Sequence, residues 1–283
     1  MRFIKDLVSG SATNLSSYKS ILKDTRAPSI YYSTYDYYES AKAQLFRFTN
    51  SSIERISVAD TTFLIHTENS YEKRTLDTVR KHKSVFTDLK QSLESSDNFY
   101  DIGANIGIYT CFAGHILDHG KILAIDPHPP SYRRLQENIE LNNIDSVTSL
   151  EAAIGTYSGA RTFVKPIPDL PSVYGIHDAS INHDPTRTFE VDCYTSQDLY
   201  EMEVSLPNIA KINVEGDELD VLRGISPLLQ HEECRVVYCS VYPELLSRKN
   251  QSPEMINEVL DNLKFEFEIL QELGMGYIIK ATK

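Results

Sequence analysis

The stretch Phe99-Tyr100-Asp101-Ile102-Gly103-Ala104-Asn105-Ile106-Gly107 decides the fold of this chain. The pattern predicts a strand over residues 98–102 and a helix over residues 106–117. Gly103 and Gly107 permit a tight turn and a close approach of the backbone to a ligand, and Asn105 tolerates left-handed geometry better than most residues. In an open α/β sheet, ligands bind beyond the carboxyl ends of strands, so this loop predicts a ligand site.

Asp101 indicates which ligand the loop takes. It ends the predicted strand two residues before Gly103, where a carboxylate would repel a pyrophosphate but suit an ammonium group. The G-x-x-x-G spacing also differs from the G-x-G-x-x-G of dinucleotide sites. Both features favour S-adenosylmethionine, because the amino-acid end of that cofactor is zwitterionic.

The next two predicted strands carry further cofactor candidates. Asp126 and Pro127 end the second strand, and a carboxylate there can accept hydrogen bonds from both ribose hydroxyls. The alternative is that Asp126 is a turn residue before proline. Ala152 and Ala153 end the third strand, where an adenine is expected. Small alanines leave room for a flat ring, although buried alanines are also common for packing reasons.

Strands and helices alternate regularly after residue 97, which predicts a mostly parallel sheet. The last two strands are joined by a Gly-Met-Gly turn, which is too short for a crossover, so they must pair antiparallel. The predicted strands are 98–102, 121–125, 147–154, 209–214, 235–241, 265–270 and 277–281, with helices over 106–117 and 130–141 and from Ser252 onwards.

Residues 1–96 lack this alternation and are predicted to form a separate N-terminal α+β extension, with the ligand-binding domain over 97–283. Residues 56–66 are expected to form two short strands around Ala59-Asp60, and residues 72–93 carry a helical pattern. Tyr31, Tyr35 and Tyr38 share one face of a predicted helix. That face could form a lid or an oligomer contact, or it could pack on the main domain.

Composition narrows the class of protein. The chain has 283 residues, a net charge of -12 and 41% hydrophobic residues, so a globular core is expected and nucleic-acid binding is not. No run approaches the ~20 apolar residues of a membrane span. The four cysteines are scattered without a C-x-x-C pair, which favours the cytoplasm. We predict a small-molecule or glycan partner and no metal.

The stretch Ile209-Ala210-Lys211-Ile212-Asn213-Val214-Glu215-Gly216-Asp217-Glu218 is the second informative one. An apolar strand here delivers Lys211, Asn213 and Glu215 to one face and its carboxyl end. Together, D-I-G-A-N-I-G, I-D-P-H-P, A-A-I-G and K-I-N-V-E-G-D-E-L-D-V-L-R-G resemble the FkbM family of S-adenosylmethionine-dependent methyltransferases. The resemblance covers roughly residues 97 to 240.

The resemblance implies a Rossmann-like class I methyltransferase fold and O-methylation of a hydroxyl on a sugar or small metabolite. The cofactor positions it implies are Asp101, Gly103, Ala104, Asn105, Gly107 and Asp126. The chain departs from the family pattern twice, with Asn213 where aspartate is usual and Asp126 where glutamate is usual. The first change removes a carboxylate from the catalytic edge, and the second shortens the reach to the ribose.

Three residues are therefore candidates for work on the acceptor. Glu215 could act as general base or orient the acceptor, or it could cap the helix that follows Gly216. Asn213 cannot be a base but could hydrogen-bond a substrate hydroxyl or the cofactor. His177, in the long connection over residues 166–190, is either a base or an ordinary loop histidine. Lys211 is expected to face solvent or to pair with an acid.

Two rival functions come from these residues. A nicotinamide-dependent oxidoreductase would share the sheet, but Asp101 and the missing G-x-G-x-x-G count against it. A catalytically inactive methyltransferase-like module that binds a partner is kept open by Asn213. Cofactor affinity separates the first rival from a methyltransferase, and turnover separates the second.

Overall fold

The computed structural model describes residues 53–68, 70–164 and 188–283. The chain divides into two compact units, residues 1–50 and 51–283, and every described residue belongs to the second. The predicted tyrosine stripe at Tyr31, Tyr35 and Tyr38 lies outside the described residues. None of the helices in the described ranges is long and apolar enough to cross a membrane.

The described elements alternate along the chain as the sequence predicts. The strands are β1 (Ile53–Val58), β2 (Thr61–His66), β3 (Phe99–Ile102), β4 (Ile122–Ile125), β5 (Val147–Leu150), β6 (Ala152–Ile154), β7 (Gly159–Val164), β8 (Thr188–Tyr194), β9 (Ile209–Ile212), β10 (Val236–Val241), β11 (Glu266–Leu273) and β12 (Gly276–Thr282). The helices are α1 (Ser70–Lys81), α2 (Lys83–Ser92), α3 (Ile108–Gly114), α4 (Pro129–Leu141), α5 (Ser196–Glu201), α6 (Glu218–Leu229), α7 (Pro243–Ser247) and α8 (Pro253–Asn262).

The main sheet has seven strands in the order β11-β12-β10-β9-β3-β4-β5. Strands β10, β9, β3, β4 and β5 run parallel to one another, and β12 pairs antiparallel with both β10 and β11. This confirms the predicted mostly parallel sheet with an antiparallel hairpin at its end. The strand order reverses between β3 and β9, and that switch point is where ligands bind in open sheets.

Helices cover both faces of the sheet, which explains why its central strands are buried throughout. All four residues of β3, β4 and β9 are buried, as parallel strands between two helical layers must be. One hydrophobic cluster joins the sheet to α1 to α4 and to the hairpin β1–β2. A second cluster joins the opposite face to α5 to α8. The Rossmann-like class I fold that the sequence predicts is confirmed.

The predicted hairpin before residue 67 is confirmed, and its turn has a local cause. Ala59 and Asp60 both have positive φ, 47° and 55°, the geometry of the two-residue turns that match strand twist. Asn138 of α4 and Asn142, directly after it, hold β2. Asn138 Oδ1 accepts from the His66 N–H at 2.8 Å, and Asn142 Oδ1 accepts from the Leu64 N–H at 2.8 Å. The hairpin thus packs on the sheet domain, while the predicted division at residue 96 stays a prediction.

Two predicted elements are divided in the structure. The helical pattern over 72–93 forms two helices, α1 and α2, separated at His82, whose Nδ1 lies 2.9 Å from the Tyr109 hydroxyl. The strand predicted over 147–154 is interrupted at Glu151. Its first half pairs with β4, and its second half joins a separate three-stranded sheet in the order β6-β8-β7. That small sheet was not predicted.

Candidate functional site

A cavity of about 100 Å³ opens at the carboxyl ends of the central strands, beside the switch point. Its walls come from the loop after β3, the residues after β4, strand β6 and the segment that links β9 to α6. Most of the predicted site residues line it, namely Gly103, Ala104, Asn105, Asp126, Pro127, Ala152, Ala153, Asn213 and Glu215. The cavity is therefore assembled from segments that are distant in sequence.

The glycine loop adopts the conformation that its sequence predicts. Gly103 has φ +74°, and a Cβ on it would lie 2.0 Å from the Asn213 carbonyl oxygen. Asn105 is left-handed with φ 53°, as expected for an asparagine in such a loop. Gly107 has φ +87° and precedes α3, and a Cβ there would meet the side chain of Leu135. A side chain at 103 would thus push the loop away from the segment after β9, and a side chain at 107 would push it away from α4.

Asp126 ties the glycine loop to the end of β4 and faces the cavity. Its Oδ2 accepts from the Asn105 N–H at 2.7 Å, and its Oδ1 accepts from the His128 N–H at 3.0 Å. Burial raises the pKa of this carboxyl to about 6, against the opposing effect of the two backbone hydrogen bonds and Lys211. Each carboxylate oxygen keeps a further lone pair, so Asp126 can accept hydrogen bonds from two neighbouring hydroxyls.

The far end of the cavity is apolar and flat-sided. Ala152 and Ala153 lie there, 1% and 6% exposed, in the short strand β6. Phe163 completes this wall from β7, and its ring packs against Phe189 with centroids 5.7 Å apart. Small side chains beside an aromatic ring leave a slot that suits a planar heterocycle. The sequence predicted these alanines at the end of a long third strand of the main sheet. In the structure they lie in β6, which belongs to the small three-stranded sheet.

Asp101 lies behind the cavity, outside its lining. The side chain is fully buried, with Oδ1 2.9 Å from Lys211 Nζ and Oδ2 accepting from the Thr110 hydroxyl at 2.6 Å. Lys211 does line the cavity and also donates to the Gly103 carbonyl at 2.7 Å. Of the two placements open to Lys211, pairing with an acid is confirmed. Direct contact of Asp101 with a ligand ammonium stays a prediction. In the structure, Asp101 holds Lys211 under the glycine loop.

The segment after β9 carries the two acceptor candidates. Glu215 has a left-handed backbone, φ 53°, and lines the cavity together with Asn213. The Gly216 N–H at the start of α6 is held by Glu218, whose two carboxylate oxygens lie 2.9 and 3.0 Å away. Burial raises the pKa of Glu218 to about 7. Glu218 thus satisfies the N–H of Gly216, and Glu215 lines the cavity. The two roles predicted for Glu215, acting on the acceptor and capping the helix, stay predictions.

Asn213 is joined to a residue that sequence reasoning missed. Its Oδ1 accepts from the Tyr242 hydroxyl at 3.2 Å. Tyr242 directly follows β10, the neighbour of β9 in the sheet, and precedes α7. Strands β10 and β9 are parallel neighbours, so their carboxyl ends bring these two residues together. No signal in the sequence pairs them, because the sequence does not state the sheet order.

His177 lies outside the described residues, so its predicted role as a base stays a prediction. Across the ranges that the structure describes, no group of three or more histidine, cysteine, aspartate or glutamate residues could hold a metal ion. The described cysteines Cys111, Cys193, Cys234 and Cys239 are buried and form no disulfide.

Comparison with known proteins covers the same region. A family model described as "Methyltransferase FkbM domain" matches residues 101–276. Hexuronic acid methyltransferase AglP of Haloferax volcanii is 30% identical over 153 residues, which are 54% of this chain and 59% of AglP. Methyltransferase 1 of Beauveria bassiana is 29% identical over 163 residues, 51% of this chain and 66% of that protein. The chain thus spans less than two thirds of the length of these relatives.

The solved structures to which the chain is similar have low sequence identity to it. A precorrin-6y C5,15-methyltransferase of Geobacter metallireducens has a TM-score of 0.44 and 15% identity, covering 71% of this chain and 89% of its own. An O-methyltransferase of Bacillus cereus, solved with S-adenosylhomocysteine (SAH), has a TM-score of 0.43 and 13% identity, covering 71% and 80%.

Proposed function

The chain belongs to the FkbM methyltransferase family, whose cofactor is S-adenosylmethionine, and from that premise we propose that it methylates a hydroxyl of a sugar or small metabolite. The observation that carries the proposal is the buried carboxylate of Asp126, which faces the cavity between the glycine loop and an apolar slot. A nucleoside needs these two features side by side: an acceptor for two ribose hydroxyls and a flat apolar surface for its base.

The cofactor would lie along the carboxyl ends of the central strands. Asp126 would bind the ribose, Ala152 and Ala153 would line the adenine slot, and the loop over residues 103–107 would approach the amino-acid end with its backbone. Asn105 and Ala104 line that part of the cavity. Lys211 is the one lysine or arginine among the described residues that line the cavity, and it can donate to a carboxylate while Asp101 balances its charge.

S-adenosylmethionine supplies an electrophilic methyl group on a sulfonium sulfur, and that sulfur keeps the bonding electron pair when the methyl group leaves. The protein has to place the acceptor oxygen in line and to take its proton. Glu215 is the proposed base, because its carboxylate lines the cavity after β9, whereas Asp217, which also lines the cavity, forms an ion pair with Lys249. Asn213 lies beside it as a hydrogen-bonding residue, and His177 remains a proposed second base.

The acceptor class is proposed from chemistry and from one relative. AglP is named a hexuronic acid methyltransferase, and a sugar acid offers several hydroxyls of the kind that Glu215 could deprotonate. We therefore place hexuronic acids first among acceptors to test, followed by neutral sugars. We propose a cytoplasmic location, supported by four described cysteines that are all unpaired.

Transfer of tritium from methyl-labelled S-adenosylmethionine to glucuronic acid and to neutral sugars tests this function. Glu215→Gln is expected to lower kcat by about 10²–10⁴-fold and to leave the Kd for SAH within about twofold. Glu258→Gln, an exposed change on α8, is the matched control and should keep wild-type activity. Equal activity of Glu215→Gln and wild type would remove Glu215 as the base, and no transfer to any acceptor would favour an inactive binding module.

A further inference from the structure

The hydrogen bond between Tyr242 and Asn213 determines which way the Asn213 amide faces. Tyr242 keeps its proton, because burial and the nearby charge of Glu215 raise the pKa of the phenol. A partly buried phenol O–H needs an acceptor, and it donates to Asn213 Oδ1 at 3.2 Å. The Ser240 side chain also hydrogen-bonds the phenol, and this bond opposes the rise in its pKa. With Oδ1 directed to Tyr242, the two N–H groups on Nδ2 point away from it.

Asn213 lies at a junction of two cavities. Asn213 lines the main cavity and also a smaller one of about 10 Å³, which has room for roughly one water-sized atom. Tyr109 and Lys211 line both cavities as well. In the described ranges, no other group hydrogen-bonds the Asn213 side-chain amide, so its N–H groups are available to an oxygen that enters this junction.

The backbone of Asn213 is held firmly while its amide is oriented. Its N–H donates to the Ile102 carbonyl at 3.0 Å. Its carbonyl oxygen lies so close to Gly103 that a Cβ added to that glycine would be 2.0 Å from it. The amide therefore projects from a fixed point beside the glycine loop. Rotation of the side chain is the remaining freedom, and the Tyr242 hydroxyl restrains it.

We infer that Tyr242 is a positioning residue that turns the Asn213 amide so that Nδ2 donates a hydrogen bond to the acceptor oxygen. This rests on the proposed methyltransferase function and adds to it the way in which the acceptor is held. A hydroxyl oxygen has one proton and two lone pairs. The proton goes to Glu215, one lone pair accepts from Asn213 Nδ2, and the other forms the new bond to the methyl carbon.

The inference also explains how the site works with an amide at this position. A carboxylate at 213 could only accept hydrogen bonds, and it would compete with Glu215 for the same proton. An amide oriented by a phenol supplies a donor instead, so the two side chains after β9 contact different parts of one hydroxyl group. Tyr242 is thus needed because an amide, unlike a carboxylate, has two chemically different ends.

The orientation can be tested without an acceptor. In protein labelled with ¹⁵N-asparagine and saturated with SAH, the two Nδ2 proton signals of Asn213 are identified by their loss in Asn213→Ala. Tyr242→Phe keeps the ring and removes the hydroxyl, and it should shift this pair of signals. Tyr100→Phe removes another buried hydroxyl, bonded to the Ser205 carbonyl at 2.8 Å, and should leave the pair unmoved. An unmoved pair in Tyr242→Phe overturns the inference.

A double-mutant cycle tests the consequence for methyl transfer. With glucuronic acid or whichever sugar acceptor proves active, Tyr242→Phe should lower kcat about tenfold, while the KM for S-adenosylmethionine and the Kd for SAH stay within twofold. In the Asn213→Ala background, Tyr242→Phe should have no further effect, because its only route to the acceptor is removed. Independent, multiplying effects of the two substitutions would overturn the inference.

The two proposals fail in different ways. Wild-type protein that does not bind SAH, or that transfers no methyl group to any acceptor, contradicts the proposed function whatever the amide signals show. Wild-type protein that is active but gives a twofold or smaller effect of Tyr242→Phe on kcat keeps the proposed function and removes the positioning role. A tenfold loss caused by weaker cofactor binding would assign Tyr242 to fold integrity instead.

Discussion

Replacing Lys211 with methionine should destabilise the protein strongly, because it leaves the carboxylate of Asp101 buried without its cation. The Lys211 and Asp101 side chains are 7% and 0% exposed, and Nζ lies 2.9 Å from Oδ1. Removal of one partner of such a buried pair costs about 3–5 kcal/mol, a large part of the 5–15 kcal/mol typical of a whole domain. Methionine keeps the apolar stem, so lost packing contributes little.

Guanidinium unfolding at pH 7 with linear extrapolation measures this loss. The double variant Lys211→Met with Asp101→Asn should recover to within about 1–2 kcal/mol of wild type, because it removes both charges. Arg80→Met is the control, since Arg80 and Asp77 are 88% and 51% exposed and such a pair contributes about 0–1 kcal/mol. The reasoning would be refuted if Lys211→Met lowered the free energy of unfolding by less than about 1 kcal/mol. It would also be refuted if the double variant lost as much free energy of unfolding as the two single variants together.

Three further predictions follow from the site. Because burial raises the pKa of Asp126 to about 6 and ribose binding needs the carboxylate, the Kd for SAH should be constant above pH 7 and rise up to about tenfold per unit below pH 6; titration calorimetry on wild type and Asp126→Asn checks this, and an equal slope in both would contradict it. Gly103→Ala should abolish SAH binding, since its Cβ would lie 2.0 Å from the Asn213 carbonyl oxygen, whereas Gly274→Ala, with nothing within 4 Å, should bind normally; binding by both variants would show that the loop tolerates a side chain. Folding raises the pKa of Glu218 from 4.5 to about 7, so its contribution to stability is present below pH 4.5 and is lost as the pH rises through 7; Glu218→Gln should reduce the fall in unfolding free energy between pH 5 and pH 8 by roughly 2 kcal/mol, and an unchanged fall would exclude this carboxyl as the titrating group.

The parts of the fold that the sequence could predict are those set by local patterns. Apolar runs of strand length, the glycines at 103 and 107 and the acid at the end of β4 each act through residues close in the chain. The left-handed conformation of Asn105 also follows from its own side chain. These features were enough to predict the turn after β3, the acid after β4 and the order of the main-sheet strands along the chain. The cofactor roles of these residues stay predictions.

The contacts that could not be predicted join residues far apart in the chain. Lys211 meets Asp101 across 110 positions, because β9 lies beside β3 in the sheet. Tyr242 meets Asn213 across 29 positions for the same reason, through β10 and β9. Side-chain identity does not encode which strands are neighbours, so only the sheet order reveals such pairs.

The missed small sheet has a different cause. Residues 147–154 form one continuous strand pattern, yet the chain leaves the main sheet at Glu151. Strand β6 then pairs with β8, which begins 34 positions later at Thr188. No local residue preference distinguishes a strand that continues in one sheet from a strand that changes partners, so the break was invisible until the pairing was known.

The most direct test of the central claim is calorimetric titration of the wild-type protein and Asp126→Ala with SAH and, separately, with NAD. The account predicts that wild type binds SAH and not NAD, and that Asp126→Ala weakens SAH binding about 100-fold, since two hydrogen bonds to a charged group are lost. Asp118→Ala, an exposed change after α3, should bind like wild type. Binding of NAD, of neither ligand, or of SAH equally by wild type and Asp126→Ala would contradict the account.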